Sequence, residues 1–238
     1  MALTHEEIHH FRHSGYLALP ARLPEQMQTN LKTAIGGDIA AEVEPVVRDG
    51  EGRAVRLSKI LERAPVFYQA ATWSPLLDAL ESLLGPHIEL VKNRHNHATL
   101  NLASAHTSGF HRDLVQWSRG LVSVILYLEQ TTLENGCTHV VPGTHLLPGV
   151  DHLHHIDRDT WIEQSGLLKQ ALPVPMAAGT FLAIDGLVYH RVGANTTAGT
   201  RMSLTLGYHS ADELAATRDD KRLLVRGEEL YMGNDRNG

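Results

Sequence analysis

Beyond residue 86 the chain is a succession of short β-prone segments, and this pattern constrains the fold more than any other feature. Each segment is rich in apolar or β-branched residues and is bounded by turn-forming residues such as Gly, Pro, Asn and Asp. The segments cover residues 88–92, 98–103, 121–129, 139–142, 172–175, 180–184, 187–192 and 201–208. About eight short strands of this kind predict a sandwich or jelly roll, in which two antiparallel sheets face each other.

The N-terminal end of the chain predicts a helix followed by a short strand. Thr4 and Glu7 form a capping box, in which each side chain binds the other residue's backbone N–H. Gly15 can end this helix in a left-handed conformation. Residues 16–19 are interpreted as a strand that Pro20 stops, because proline has no backbone N–H to donate.

Two more helices are expected before the β-rich part begins. One is predicted over residues 24–35, ended by two consecutive glycines, and the other begins at Ser74 and Pro75. Residues 37–54 are polar and contain glycine, and we interpret them as a loop. This part of the chain is therefore expected to be mainly helical.

Length and hydrophobic content fit one domain. The chain has 238 residues, of which 42% are hydrophobic, so it can form a sizeable core. We expect a single α+β domain with a mainly β core, made of helical support over 1–86, the β core over 87–210 and a C-terminal tail over 211–238. The N-terminal helices are expected to pack on one sheet of this core.

Charge and cysteine content exclude several classes of function. The chain has 21 basic and 27 acidic residues, a net charge of −6, which argues against binding to nucleic acid or to an anionic membrane. Its single cysteine, Cys137, excludes an internal disulfide and any metal site built from several cysteines. The first residues lack the features of a signal peptide, and no apolar run approaches the roughly 20 residues that span a bilayer. We therefore expect a cytoplasmic protein whose partner is a small molecule.

A histidine and an aspartate two residues apart are the first candidates for chemistry. On a strand, His111 and Asp113 would point to the same side, so that an imidazole and a carboxylate are presented together. The chain contains a second pair of this type, His155 and Asp157, which lies in a polar stretch that we interpret as a solvated loop. The first pair precedes the long apolar strand over 121–129, which favours it as the functional one.

A second histidine far downstream can complete a metal site. His190 follows an Asp185-Gly186 turn that predicts a hairpin between two β segments. Two histidines and one carboxylate form a facial triad, which binds non-haem Fe(II) and leaves three coordination positions open. Spacing alone leaves open the alternative that His111 and His190 are ordinary half-buried histidines that never meet.

The strand over 201–208 carries a candidate anion-binding group. Arg201, Ser203 and Thr205 share one face of this strand, because their spacing follows its alternation. A buried arginine needs an anion, and beside a hydroxyl it can bind a small carboxylate through two parallel hydrogen bonds. The alternative is a surface strand on which the arginine pairs with a glutamate.

Four short motifs stand in the β-rich part of the chain. They are GFHRD at 109–113, LENGC at 133–137, VVPGTH at 140–145 and GTF at 179–181, followed by His190, Asn195 and Arg201. Together they resemble the phytanoyl-CoA dioxygenase family. The resemblance covers most of the chain, is densest over 109–208, and has its most specific part in the second and third motifs.

This resemblance implies a double-stranded β-helix fold and an oxygenase that uses Fe(II), with 2-oxoglutarate and O2 as cosubstrates. The family's metal ligands match His111, Asp113 and His190. Its 2-oxoglutarate-binding arginine matches Arg201, and Ser203 is expected to assist it.

The resemblance also suggests roles for residues around this constellation. An upstream strand of the family often supplies a polar contact to the cosubstrate, and Asn93 is the candidate here. An aromatic residue often follows the metal-binding motif, and Trp117 occupies that place. The motif over 142–145 is interpreted as a tight turn that shapes the pocket, with His145 outside the ligand set.

The expected substrate is polar. The resemblance is to small bacterial members that tailor natural products, including those that close orthoester or methylenedioxy bridges on oligosaccharide antibiotics. The candidate interior wall is formed by His95, His97, Asn101, His106 and His139. We expect a sugar-containing or otherwise polar metabolite rather than an acyl-CoA, because no basic segment is concentrated enough to bind CoA phosphates. The expected outcome is hydroxylation or oxidative ring closure, with succinate and CO2 as co-products, and desaturation stays open.

A non-redox, cupin-like barrel is the second class of function that this sequence allows. Such a protein would be a metal-binding isomerase or a binding module. Cupin sites usually combine three histidines with a glutamate and need no buried arginine beside the metal. Asp113 and Arg201 therefore favour the oxygenase.

Overall fold

Two antiparallel sheets of unequal size form the core of the protein. The computed structural model describes residues 2–103, 108–114, 120–147, 160–211 and 220–228. The helices are α1 (His5–Ser14), α2 (Glu25–Ala40), α3 (Pro65–Ala71), α4 (Ser74–Leu84) and α5 (Thr160–Ser165). The strands are β1 (Tyr16–Arg22), β2 (Val46–Arg48), β3 (Ala54–Ser58), β4 (Ile88–Val91), β5 (Asn96–Asn101), β6 (Val122–Tyr127), β7 (Thr138–Val140), β8 (Leu172–Val174), β9 (Thr180–Asp185), β10 (His190–Val192), β11 (Arg201–Ser210) and β12 (Arg222–Arg226). Short 3-10 helices cover Ile60–Glu62, Thr144–Leu146 and Leu167–Gln170.

The strand order confirms the predicted double-sheet architecture. The large sheet has the order β1-β9-β6-β11-β5-β3-β2, with β4 pairing both β11 and β12. The small sheet has the order β10-β7-β8. All eight strands expected from the sequence are present, and the fold is a double-stranded β-helix of the mixed α+β class with a mainly β core.

The N-terminal helices pack on one face of the large sheet, as expected. Buried leucines of α4, such as Leu76 and Leu80, belong to the same apolar cluster as Leu204 and Leu206 of β11. Alternation along β11 sends Arg201, Ser203 and Thr205 to the opposite face, which is the face that carries the site described below. The large sheet therefore separates an apolar core from a polar interior.

The first helix has the ends that the sequence predicts, whereas the strand after it is longer. The Glu7 backbone N donates to Thr4 Oγ1 at 3.2 Å, the Thr4 backbone N donates to Glu7 Oε2 at 2.8 Å, and Gly15 has a φ of 76°. The prediction that Pro20 stops β1 is wrong. Among the described residues β1 lies at the edge of its sheet and pairs with β9, so its outer side needs no N–H donor at this proline.

The second helix passes through the glycines that were expected to end it. Leu31 and Ile35 are buried, and Asp38 at the helix C-terminal end forms an ion pair with Arg63 at 2.7 Å. These tertiary contacts offset the cost of roughly 1 kcal/mol that each glycine imposes on a helix. The loop prediction for 37–54 is therefore wrong at its start, which is helical, and at 46–48, where β2 pairs with β3.

The predicted hairpin around Asp185 and Gly186 is wrong as well. β9 pairs with β1 and β6 in the large sheet, whereas β10 pairs with β7 in the small sheet. The turn therefore carries the chain from one sheet to the other.

The C-terminal tail contributes one strand, β12, which pairs with β4. None of the helices in the described ranges combines the length and the apolar character that crossing a bilayer requires.

Candidate metal centre and cosubstrate pocket

His111 and His190 meet through their backbones. Each donates its N–H to the carbonyl oxygen of the other, at 3.0 Å in both directions, which forms an isolated antiparallel bridge. Residues opposite each other in such a pair project their side chains to the same side. Their ring centroids are 4.4 Å apart. The alternative in which the two histidines never meet is therefore excluded.

Asp113 is held beside the two rings by the turn between the sheets. The carbonyl oxygen of Gly186 accepts hydrogen bonds from the backbone N of Asp113 at 2.8 Å and of Leu114 at 2.9 Å. Asp113 Oδ1 lies 3.9 Å from His111 Nε2 and 3.8 Å from His190 Nε2. One ligand atom from each of the three residues lies within 4.8 Å of the others, so they can surround one metal ion. The Asp-Gly turn thus positions the metal-binding loop instead of closing a hairpin.

Both histidines present the correct nitrogen to a metal. His111 Nδ1 lies 3.2 Å from the carbonyl oxygen of Gly109, and His190 Nδ1 lies 3.0 Å from that of Val188. A carbonyl oxygen can only accept, so each Nδ1 carries the proton and each Nε2 carries the lone pair that can bind a metal. The backbone therefore fixes the tautomer and orientation of both rings.

The environment of Asp113 keeps it ionised. Burial opposes ionisation, but nearby His190 and His95 and the hydroxyl of Ser123 outweigh it, so the pKa of Asp113 lies below its ordinary value. Ser123 Oγ donates to Asp113 Oδ2 at 2.5 Å, and His95 Nδ1 lies 3.9 Å from the same oxygen. An ionised carboxylate is the form that binds a cation.

The VVPGTH motif over 140–145 forms hydrogen bonds with residues that directly adjoin the candidate metal ligands in sequence. Thr144 Oγ1 donates to the carbonyl oxygen of Val141 at 2.7 Å and accepts from the backbone N of Tyr189 at 2.9 Å. Arg112 Nη2 donates to the carbonyl oxygen of Thr144 at 2.6 Å, and its guanidinium lies 4.0 Å above the Tyr189 ring. Arg112 lies between His111 and Asp113, and Tyr189 directly precedes His190. The motif therefore connects the segment that carries His111 and Asp113 to the segment that carries His190. His145 lies outside this site, with Nε2 at 3.0 Å from the carbonyl oxygen of Arg12.

A cavity of about 150 Å³ extends from the three residues between the two sheets, and we call it the triad pocket. It is lined by His95, His97, Thr99, His111, Asp113, Ser123, Ile125, Thr138, Ile184, His190, Val192, Arg201, Ser203 and Thr205. Ser123, which binds Asp113, is paired with Gly207, and Arg201 lies six residues earlier on the same strand face as Gly207. The pocket therefore has the metal-binding residues at one end and a guanidinium at the other.

Arg201 lacks an anion within the described residues. Its side chain is only 2% exposed, and neither Nε nor Nη1 has a hydrogen-bond partner there. Burial lowers the pKa of Arg201, yet a guanidinium stays charged in proteins. Its guanidinium lies 5.8 Å from the centre of the Tyr127 ring, and the Tyr127 hydroxyl is 2.7 Å from Thr138 Oγ1. A buried cation with unused donors fits a bound carboxylate, so the residues present fit 2-oxoglutarate as well as a metal.

The other residues singled out in the sequence are dispersed. Asn93 is exposed and lines a neighbouring pocket rather than the triad pocket. Asn101 lies on the inner face of β5 beyond the triad pocket and donates to the carbonyl oxygen of Asn135. His139 is half-buried, with Nδ1 at 3.1 Å from the carbonyl oxygen of Cys137. The remaining residues, His106, Trp117, His155 and Asp157, lie outside the described part of the chain.

Ser123 was missed as a site residue. It is the single polar residue in the run LVSVILYL at 121–128 apart from a tyrosine, and it is 1% exposed. A hydroxyl in a buried strand needs a hydrogen-bond partner, so this interruption of the apolar run was the available signal.

Comparison with protein families gives one match over most of the chain. A family model described as Phytanoyl-CoA dioxygenase (PhyH) matches residues 11–203. Two curated relatives, uncharacterized proteins of Mycobacterium bovis and Mycobacterium tuberculosis, are 28% identical over 101 residues. The match spans 41% of this chain and 33% of each relative, so the chain spans about a third of their length.

Solved structures share the fold. The epimerase SnoN in complex with Fe3+, alpha ketoglutarate and nogalamycin RO is 20% identical, with a TM-score of 0.73 over 93% of this chain and 98% of that chain. The carbocyclase SnoK from nogalamycin biosynthesis is 20% identical, with a TM-score of 0.71 over 88% and 85%. EctD from S. alaskensis with bound Fe is 18% identical, with a TM-score of 0.77 over 95% and 87%. At these identities the likeness establishes the fold and not the substrate.

Proposed function

The chain belongs to the phytanoyl-CoA dioxygenase family of Fe(II)- and 2-oxoglutarate-dependent oxygenases, and we propose that His111, Asp113 and His190 are its iron ligands. The observation that carries this assignment is that all three ligand atoms lie within 4.8 Å in the pocket that also contains the buried Arg201. The cupin-like alternative does not account for this arginine.

The donor set matches the metal that the family uses. Two imidazole nitrogens and one carboxylate oxygen on one side leave coordination positions for a chelating cosubstrate and for O2. When bound, Fe(II) with 2-oxoglutarate and O2 supplies the oxidising chemistry, with succinate and CO2 as co-products. The protein's own contribution is to fix the three ligands, keep Asp113 ionised and enclose the reacting groups away from water.

Arg201 and Ser203 are the proposed partners of the distal carboxylate of 2-oxoglutarate. Both are 2% exposed and line the end of the triad pocket remote from the metal ligands. A guanidinium binds a carboxylate bidentately, and a neighbouring hydroxyl can donate one more hydrogen bond. The contact between Asn93 and 2-oxoglutarate stays a prediction. Asn93 would have to reach the cosubstrate from the adjoining pocket that it lines.

The substrate is proposed to be a polar natural product, such as a sugar-containing metabolite, that undergoes hydroxylation or oxidative ring closure. A groove of about 750 Å³ runs along the β2–β3 hairpin, and we call it the hairpin groove. It shares His97 and Thr99 with the triad pocket, and Asp49, Arg53 and Asn101 are among its polar lining residues. Its size and polarity support a substrate with many hydrogen-bonding groups.

Two structurally similar proteins were crystallised with polar small molecules, which supports the proposed substrate class. SnoN was crystallised with alpha ketoglutarate and nogalamycin RO, and EctD with 2-oxoglutarate and 5-hydroxyectoine. Ring closure of the kind found on oligosaccharide antibiotics remains part of the proposal for this chain.

The direct test is turnover of 2-oxoglutarate to succinate by the iron-loaded protein with a panel of glycosylated and non-glycosylated metabolites. We expect polar members to stimulate succinate formation, Asp113→Ala and His190→Gln to abolish it, and the exposed control His5→Gln to retain it. Retained turnover in Asp113→Ala would show that the ligand assignment is wrong. Stimulation by fatty acyl chains alone would show that the substrate class is wrong.

A further inference from the structure

Four basic side chains line a pocket beside the metal centre. This pocket, which we call the basic pocket, has a volume of about 320 Å³ and is lined by Arg56, Lys59, Lys92 and Arg94 together with polar residues. No aspartate or glutamate lies among its lining residues in the described part of the chain. Lys59 forms an exposed ion pair with Glu62 at 3.8 Å, and His95, which also lines the pocket, lies 3.9 Å from Asp113 Oδ2.

Neither segment that forms the basic pocket is strongly basic by itself. Arg56 lies on β3 and Lys59 directly after it, whereas Lys92 and Arg94 lie in the turn between β4 and β5. The pairing of β3 with β5, which includes Arg56 opposite Thr99, brings the two segments together. The expectation that no basic segment is concentrated enough to bind CoA phosphates describes the sequence correctly, and the four basic side chains come together only through the fold.

The two walls of the basic pocket are fixed to each other by one buried amide. Asn96 Oδ1 accepts from the backbone N of Leu61 at 3.0 Å, and Asn96 Nδ2 donates to the carbonyl oxygen of Lys92 at 2.7 Å. Asn96 is only 4% exposed. Because the walls are connected in this way, the backbone segments that carry the basic residues are fixed relative to each other before any ligand binds, which lowers the entropic cost of binding.

The basic pocket adjoins the proposed iron site. His95 and His97 line both the basic pocket and the triad pocket. His95 Nδ1 lies 3.9 Å from Asp113 Oδ2, so the shared wall reaches the metal ligands. Gly207 allows this approach, because a Cβ at its position would lie 3.0 Å from the Cβ of His95.

We propose that the basic pocket binds a phosphoryl group of the substrate and so places the rest of the molecule against the metal centre. This inference rests on the proposed function, because it names a chemical group on the substrate of the same site. A single carboxylate carries one negative charge, whereas a phosphate or diphosphate carries several and can contact more than one of these cations at once. Arginine binds phosphate bidentately and lysine binds it as a point charge, and the pocket supplies two of each. The chain as a whole has a net charge of −6, so this positive site is local.

The test uses metal-free protein and inorganic pyrophosphate as the probe in a calorimetric titration. We expect saturable binding to the wild type, and binding about tenfold weaker to Arg56→Gln/Lys92→Gln, because two charged donors are removed. The matched control Arg22→Gln/Lys32→Gln removes one arginine and one lysine that are exposed elsewhere, and it should bind like the wild type. Arg201→Met should also retain pyrophosphate binding, since it lies at the other end of the triad pocket.

Three outcomes would overturn the proposal. One is the absence of saturable binding to the wild type, and another is equal affinity of wild type, the pocket variant and the control. The third is binding of citrate, a carboxylate probe of similar charge, as tightly as pyrophosphate. The proposed function is checked separately by the absorbing complex of the wild type with Fe(II) and 2-oxoglutarate. Its absence in the wild type would count against the iron site whatever pyrophosphate does, and the pocket variant should form the complex as the wild type does.

Discussion

The backbone N–H groups of His111 and His190 each donate to the other residue's carbonyl oxygen at 3.0 Å, although the two residues are far apart in the chain. This bridge joins the segment that carries Asp113 to the first residue of β10. It makes the spacing of the two imidazoles a property of the backbone, and the Nδ1 hydrogen bonds to carbonyl oxygens then fix how the rings face the metal. The iron site is therefore expected to be formed before iron binds.

Replacing Ser123 by alanine tests the support of Asp113. The variant removes the hydrogen bond to Asp113 Oδ2, and we expect Fe(II) affinity to fall by roughly 10- to 100-fold, as for other partners of metal ligands. Ser203→Ala, a serine-to-alanine change remote from the metal ligands in the same pocket, should keep Fe(II) affinity and weaken 2-oxoglutarate binding. Titration of both variants with Fe(II) under nitrogen gives the comparison, and equal Fe(II) affinities would contradict it.

Arg201→Met separates binding from stability. The variant loses the cation proposed to bind 2-oxoglutarate, so affinity for 2-oxoglutarate should fall about 100-fold, equivalent to about 3 kcal/mol. The melting temperature without 2-oxoglutarate should be unchanged or higher, because a buried cation without an anion is replaced by an apolar side chain of similar length. Unchanged affinity together with a lower melting temperature would instead assign Arg201 a structural role.

Thr144→Val tests the hydrogen bonds by which Thr144 connects Val141 to Tyr189, the residue before His190. Valine removes the hydroxyl that accepts from the Tyr189 backbone N and donates to Val141, which leaves buried polar groups without partners. We expect the free energy of unfolding, measured with urea, to fall by about 1–3 kcal/mol. Thr144→Ser keeps the hydroxyl and should lose clearly less, and equal losses in the two variants would show that packing of the methyl group matters more.

His97 predicts a pH dependence of stability. Burial, followed by the positive charge of Arg56, lowers the pKa of His97 to about 4 in the folded protein, against an unfolded value of about 6.5. Between these values the unfolded chain takes up the proton more readily, so stability is lost as the pH falls. The metal-free wild type should lose about 2 kcal/mol more than His97→Gln between pH 7 and pH 5. Denaturant unfolding at the two pH values measures this, and parallel losses would place the folded pKa of His97 near the unfolded one.

Local patterns in the sequence predicted much of the fold and of the site. Alternation along β11 predicted that Arg201 and Ser203 face inward, and the two-residue spacing of His111 and Asp113 predicted a shared side. Both predictions depend only on residues close together in the chain. The same local logic identified the capping box and the eight strands.

What could not be predicted depends on contacts between distant residues. An Asp-Gly pair alone favours a hairpin. Here the turn at Gly186 connects two sheets instead, and the Gly186 carbonyl oxygen accepts hydrogen bonds from the loop that carries Asp113. Pro20 is tolerated only because β1 is an edge strand, which depends on the strand order. The basic pocket combines Arg56 with Lys92, and no segment of the sequence contains that cluster of charge.

The most direct test of the iron site is anaerobic addition of Fe(II) and then 2-oxoglutarate, followed by visible absorption. The account predicts a weak charge-transfer band for the wild type that requires both components, and no such band for Asp113→Ala at the same concentrations. A wild type without the band, or an Asp113→Ala variant that shows it at full intensity, would contradict the assignment of His111, Asp113 and His190 as the iron-binding residues.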